Sequence, residues 1–292
     1  MASRVLAPLN RKRRRAPASR TRLLIMGVLN VTPDSFSDGG VYLDSEAAIR
    51  HAEEMVAAGA DVLDIGGEST RPGAQPVVID EELRRIIPVI QALAERVNVP
   101  ISVDTSKAEV ARQAIAAGAS IVNDVTALRG DPVMARVIAR AGASVILMHM
   151  QGAPQTMQQR PRYRDVVADV GTFLAERIRA ARRAGIAGDR IWIDPGLGFG
   201  KTDAHNLALL QRLSELQRLR TPIVVGPSRK SFIGRLLRIE DPRERLAGTL
   251  ACVALALEQG ASMVRVHDVK AVAEFVTMWH ALHSSHAARR QH

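Results

Sequence analysis

The chain has a single cysteine in 292 residues, Cys252, so no internal disulfide framework is available to it. That thiol sits in the apolar run 250–257 with no activating base beside it in sequence, which marks a buried structural residue and suits a reducing cytosol. Long hydrophobic runs are missing too. The early run 23–29 is far too short for a bilayer and reads as a first strand. Eight histidines are present, but none shows the spacing of a zinc site. His51, His205 and His280 fall on helical segments, and only His149 and His267 end strands. His149 serves equally well as a functional group or as a residue that caps a loop. Acidic residues are absent before Asp34, whereas residues 1–22 carry eight Arg and Lys. Taking those eight from the net charge of +10 leaves +2 for the other 270 residues, so the body is not a nucleic-acid binder. The basic segment reads as a disordered tail, with a leader, an address or a partner site as alternatives.

What is there repeats eight times: a short apolar run ending in polar residues. The run 23–29 leads into Asn30-Val-Thr-Pro-Asp-Ser-Phe36-Ser-Asp38-Gly-Gly, and Ile65 into Gly66-Gly-Glu-Ser-Thr70-Arg71-Pro72-Gly73. Further ends carry Asp104, Asn123-Asp124, Met148-His149, Asp194, Gly226-Pro-Ser-Arg229-Lys230-Ser231 and Arg265-Val-His267. Helical segments lie between them, the first opened by Asp44 as N-cap. Ala-Gly-Ala tripeptides at 58–60, 117–119 and 141–143 close helices and turn into the next strand. One-sided chemistry at eight strand ends predicts a single (β/α)8 TIM barrel over 23–283, with the active site at the C-terminal ends of the strands. Residues 284–292 read as a frayed end. An open doubly wound sheet is the alternative, but it would gather its ligand groups at one switch point.

Gly196-Leu-Gly-Phe-Gly-Lys201 imitates a phosphate loop, yet a P-loop needs glycine where Pro195 stands, and the Rossmann spacing fails as well. Those glycines instead let backbone pass close to another group. Asp104, Asn123 and Asp194 offer acceptors inside an apolar cup, which suits a flat heterocycle with several N–H donors. Arg71, Arg229, Lys230, Arg265 and His267, with Asn30 beside them, form a cationic set at the rim, and Ser231 opens a helix whose N–H groups attract an anion.

Taken together, the motifs starting at Asn30, Gly66, Ser102, Asp194 and Ser228 resemble those of dihydropteroate synthases, in order, from about Leu23 to His283. That resemblance implies a Mg2+-assisted TIM-barrel enzyme that joins 6-hydroxymethyl-7,8-dihydropterin diphosphate to 4-aminobenzoate. It assigns catalytic roles to Asp38, Asp104, Asp194, Lys230, Arg265 and His267. Asn123 would hold the pterin with Asp104, Asp194 and Lys230. Asn30 would meet magnesium and the diphosphate. Phe36, Thr70, Arg71, Pro72, Met148, Phe199, Lys230 and Ser231 would line the substrate sites. The resemblance also implies a cytoplasmic homodimer, in a family that sulfonamides target as mimics of 4-aminobenzoate. A pterin-dependent methyltransferase and a non-catalytic pterin-binding protein are the competing readings, and neither explains the intact first loop and the intact segment 228–231.

Overall fold

The computed structural model describes residues 22–32, 40–69, 75–152 and 156–288. Among them eight strands alternate with helices: β1 (Leu24–Asn30), α1 (Gly40–Ala57), β2 (Val62–Gly66), α2 (Ile79–Arg96), β3 (Ile101–Asp104) and α3 (Ala108–Ala117). There follow β4 (Ile121–Asp124), α4 (Met134–Ala141), β5 (Ser144–Met148), α5 (Val166–Arg183), β6 (Ile191–Asp194) and α6 (Asp203–Gln211). The chain ends with β7 (Val224–Val225), α7 (Ser231–Leu237), α8 (Leu246–Glu258), β8 (Met263–Val266) and α9 (Val269–Ala288). All strand pairings are parallel, in the order β6-β5-β4-β3-β2-β1-β8-β7. A bridge between Ile193 and Ile223 joins the last two edges and closes the sheet into a (β/α)8 barrel.

Side chains alternate along a strand, and this sequence uses the alternation to separate two cores. One face packs Ile25, Leu63, Val103, Val122 and Val145 against the helices. The other turns Met26, Val62, Ile121, Ile146, Trp192, Val224 and Met263 into the barrel, where they form an apolar floor. Two residues further along each strand the same inward parity delivers Asp64, Asp104, Asn123, Met148, Asp194, Gly226 and Arg265. The polar layer is therefore the next storey of the same face, reached without any break in the strands.

The Ala-Gly-Ala turns sit at the opposite end. Gly118 takes φ +125°, and a Cβ there would lie 2.5 Å from the Cβ of Ala94, so both the angle and the space demand glycine. Three boundaries differ from the sequence expectation. Helix α1 begins at Gly40, four residues before Asp44, so Asp44 is inside the helix and does not cap it. The segment expected as one helix over 203–218 divides into α6 and a 3-10 segment, Leu213–Leu219. Helix α9 runs on to Ala288, past the expected end of the barrel at His283. The tail over 1–21 and the last four residues lie outside the described residues. No helix among the described residues is long and apolar enough to cross a membrane.

Trp192 is 6% exposed within the floor. Trp192→Ala should cost about 3–5 kcal/mol in urea denaturation, against less than about 0.5 for Leu207→Ala on the surface of α6.

Candidate active site at the barrel mouth

Arg265 rises from β8 into the polar layer and is gripped there by two carboxylates. Its Nε donates to Asp64 Oδ2 at 2.6 Å and its Nη2 to Asp104 Oδ2 at 2.8 Å. Asn123, level with Asp104 in the β3–β4 register, donates its Nδ2 to the same Asp64 oxygen at 3.0 Å. Asp194 ends β6 and accepts from the Gly196 N–H at 2.6 Å through Oδ1. Asp104, Asn123 and Asp194 thus meet at one level, as the sequence predicts. Asp64 joins them unforeseen; the signal was an acid in the middle of the apolar strand Val62-Leu63-Asp64-Ile65. Met148 completes the wall, in register with Asp194. The Oδ1 atoms of Asp64 and Asp104 and the Oγ of Ser102 are buried without a hydrogen-bond partner among the described residues. Buried acceptors of that kind are costly unless a ligand supplies donors.

Burial pushes the Asp104 carboxyl up from 3.8 to about 7; the Arg265 guanidinium opposes this, and the negative charges of Asp64, Glu82 and Asp124 reinforce it. Asp194 is also raised, by burial first, with the Gly196 N–H and the Lys230 ammonium pulling the other way. For Arg265, burial alone would lower the pKa, but Asp64 and Asp104 outweigh it and keep the guanidinium charged.

The rim is organised by Lys201, the residue of the false phosphate loop. Its side chain is 1% exposed, and its Nζ donates to Phe199 O at 2.9 Å and contacts His149 Nδ1 at 3.0 Å. Burial depresses this lysine to about 7 and His149 to about 2, so the imidazole is the neutral acceptor of that bond. His149 therefore ties two loops together, the capping alternative of the sequence reading. The glycines follow from the same packing: a Cβ at Gly196 would lie 2.0 Å from His149 O, and one at Gly200 2.5 Å from Gln151 O. Loop crosses loop here, backbone to backbone. The ring of Phe199, fixed by this arrangement, lies 4.2 Å below the Lys230 ammonium. Ser231, the first residue of α7, is exposed next to them. A cleft of about 730 Å3 opens beside it, lined by Ser231, Arg235, Lys201, Asp203 and Gln158 among others. None of the polar-layer carboxylates lines that cleft, so it adjoins the cup and is not the cup itself.

Across the rim, the His267 N–H donates to Ser228 Oγ at 3.2 Å, and the same hydroxyl lies 3.0 Å from His267 Nδ1. The hydroxyl proton can then serve Nδ1, which leaves Nε2 as the donor nitrogen of a neutral ring. Arg229 departs from the expected anion-seeking set. It is bound to Asp268, with Nη2 to Oδ1 at 2.5 Å and Nε to Oδ2 at 3.2 Å, an ion pair that holds the two rim loops together. Asn30 ends β1 level with Gly66 and is half-buried. Beyond Gly66, Glu68 bonds Lys107, which also reaches Glu82 Oε2 at 2.5 Å, so the loops after β2 and β3 are both moored to α2. Phe36, Asp38, Thr70, Arg71 and Pro72 lie outside the described residues.

Fold and site together are those of a barrel enzyme whose cup suits a planar donor-rich heterocycle and whose rim suits an anion. The family model described as pterin binding enzyme matches residues 26–267. The dihydropteroate synthase of Escherichia coli strain K12 is 50% identical over 266 residues, 91% of this chain and 94% of that one. Among solved structures, Xanthomonas albilineans dihydropteroate synthase with 4-aminobenzoic acid superposes with a TM-score of 0.85 at 50% identity, covering 90% of this chain and 93% of that chain. The Yersinia pestis enzyme in complex with a sulfonamide drug gives 0.85 at 48% identity, over 90% of this chain and 95% of that chain. The chain belongs to the dihydropteroate synthase family of pterin-binding enzymes.

Between pH 3.8 and about 7 the folded protein holds a proton on Asp104 that the unfolded chain has shed. The ligand-free protein therefore loses stability as pH rises through that window. Asp104→Asn, which removes the charge, should raise the melting temperature at pH 8. That gain should shrink towards zero as the pH is lowered to 4. A thermal-shift series across pH measures both.

Proposed function

We propose that this protein condenses 6-hydroxymethyl-7,8-dihydropterin diphosphate with 4-aminobenzoate, giving 7,8-dihydropteroate and diphosphate. The observation that carries the reading is the polar layer: acceptors from Asp104, Asn123 and Asp194 on a dry apolar floor, with a buried unpartnered oxygen on Asp104. A pterin ring presents the N–H donors that such acceptors require. The C–O bond to the diphosphate breaks, and its electron pair leaves with the phosphate oxygen. The arylamine nitrogen then forms the new C–N bond to the exocyclic carbon and releases one proton.

Positive charge develops on the pterin carbon as diphosphate departs, and Asp104 and Asp194 stabilise it electrostatically. Arg265, His267 and Lys230 would stabilise the departing negative charge, His267 and Lys230 from the rim and Arg265 from the polar layer below it. Phe199, Lys230 and Ser231 flank the arylamine, which needs positioning more than activation. Asp38 and Arg71 lie outside the described residues; by the family resemblance Arg71 would meet the departing diphosphate, and Asp38 would belong to a closed state that excludes water, which would otherwise trap the cation. Sulfonamides, as mimics of 4-aminobenzoate, would compete at the Phe199 and Ser231 subsite.

Magnesium fits this donor set. No group of three His, Cys, Asp or Glu stands ready to cage a metal among the described residues. Mg2+ asks for less, since it keeps waters and takes phosphate oxygens alongside one or two protein oxygens. The Asn30 amide oxygen is such a ligand, and the ion would neutralise diphosphate charge.

A homodimer is the assembly supported by α8. That helix is apolar along almost its whole length, yet only Thr249, Val253 and Ala256 are buried. Leu236 and Leu237 at the end of α7 are 52% and 48% exposed. Helices hydrophobic all round belong in an interior, and a second copy supplies one. The lone cysteine is consistent with a cytoplasmic location.

Purified protein given Mg2+, pterin diphosphate and 4-aminobenzoate should release dihydropteroate and diphosphate in equal amounts, and Asp104→Asn should lower kcat/KM by about 100-fold or more. Pterin binding with no dihydropteroate formed sinks the catalytic reading. Sedimentation should give twice the chain mass of 31.7 kDa, and Ala251→Glu on the exposed face of α8 should yield monomer.

A further inference from the structure

Asp64 is completely buried in the middle of β2, and the proposed reaction gives it no task. It nevertheless holds two of the groups on which that reaction depends. One oxygen, Oδ2, accepts from Arg265 Nε on β8 at 2.6 Å and from Asn123 Nδ2 on β4 at 3.0 Å. Each contact removes a freedom. Because that oxygen accepts, Asn123 turns its NH2 towards Asp64 and is left with its carbonyl oxygen for a ligand donor. Arg265, held through Nε by Asp64 and through Nη2 by Asp104, has its guanidinium plane fixed at two points. Without Asp64 the Asn123 amide is free to flip, offering a donor where the heterocycle needs an acceptor.

We infer that Asp64 is the positioning residue of this site: sealed from solvent beneath the ligand, it sets the hydrogen-bonding polarity of Asn123 and the orientation of Arg265. This role rests on the proposed synthase function. Its effect falls on the pterin half of the reaction and leaves the arylamine subsite at Phe199, Lys230 and Ser231 alone. Asp64 also adds negative charge next to Asp104, whose carboxyl is raised as well by the charges of Glu82 on α2 and Asp124 on β4 and lowered by that of Arg265.

The test is Asp64→Asn, which keeps the volume and one acceptor and removes the charge. Calorimetric binding of pterin diphosphate and steady-state kinetics are run on the same preparation, with wild type alongside. Pterin affinity should fall about 10- to 100-fold, the loss expected when the acceptor of two hydrogen bonds loses its charge and one of its two oxygens. The KM for 4-aminobenzoate should stay within about threefold, because its subsite is remote from the contact. The acid limb of pterin binding should move to lower pH, since Asp104 loses a like charge and titrates lower; a packing defect would not move it. A folded variant with wild-type pterin affinity overturns the inference. So does equal weakening for both substrates with an unmoved acid limb.

Should Asp64→Asn fail to fold, Asn123→Asp probes the same contact from the other side. Two facing carboxylates must share a proton, so its pterin affinity relative to wild type should recover from about pH 8 to about pH 6. A ratio independent of pH overturns the inference. Wild type that binds pterin yet forms no dihydropteroate fails the synthase function alone, and the binding arm still decides on Asp64. Wild type that binds no pterin overturns both.

Discussion

Two buried carboxylates sharing one guanidinium, Asp64 and Asp104 around Arg265, are the constraint on which the rest of this barrel turns. Neither acid could stand alone on a floor of Met26, Val62, Ile121 and Trp192, because an isolated buried charge is among the most expensive things a fold can hold. Arg265 makes the pair tolerable, and removing it would strand both acids. The compensation is incomplete, however. Two negative charges face one positive charge, and one oxygen on each carboxylate has no hydrogen-bond partner among the described residues. The deficit shows up as the upward displacement of Asp104, which burial drives and Arg265 only partly opposes. A fold selected for stability alone would replace the trio with apolar side chains of similar volume. Its presence at the open end of the barrel is explained by a ligand that supplies the missing donors.

The rim obeys a different logic. There the groups that bind are placed by groups that do not. Lys201 is as buried as any core leucine and spends its ammonium on Phe199 O and on the His149 ring and carbonyl. Through these contacts it fixes the loop that sets Phe199 beneath Lys230. Arg229 and Asp268 clamp the β7 and β8 loops to each other. Lys107 draws Glu68 and Glu82 together and so anchors the loops after β2 and β3. Arg229, which sequence alone would give to an anionic substrate, is one of these fasteners, bound to Asp268.

The barrel was legible in the sequence because its defining signal is local. An apolar strand that stops in polar residues needs no partner to be recognised, and eight such stops in one chain define a mouth. Asp104, Asn123 and Asp194 were found for that reason. Asp64 was missed because it stands two residues short of its strand end, where an acid within Val-Leu-Asp-Ile looks like an interruption until the inward parity of β2 is known. Arg229 was misassigned because its partner is 39 residues away in sequence and adjacent only after folding. The glycines at 196, 198 and 200 were correctly read as permitting close approach, but the groups that approach are the backbone at His149 and Gln151 and the side chain of Lys230. Helix ends differ from the sequence reading at Gly40 and Ala288, because local start and stop signals fix the type of an element better than its boundary.

These two layers explain how one arrangement serves both binding and catalysis. Binding the pterin satisfies the unpartnered oxygens of the polar layer, which lowers the energy of the ground state and of the transition state alike. Such uniform gain does not speed a reaction. The excess negative charge is different. On the proposed mechanism it would do little for a neutral pterin and much more for one becoming cationic as diphosphate leaves, so its stabilisation would grow along the reaction coordinate. Arg265 is held by Asp64 and Asp104 and cannot swing to cancel that charge elsewhere. The negative field is therefore already in place when the cation forms and needs no reorganisation. The destabilisation that the ligand-free fold carries at Asp104 is the same electrostatic energy, felt in the absence of the positive charge it is built to meet.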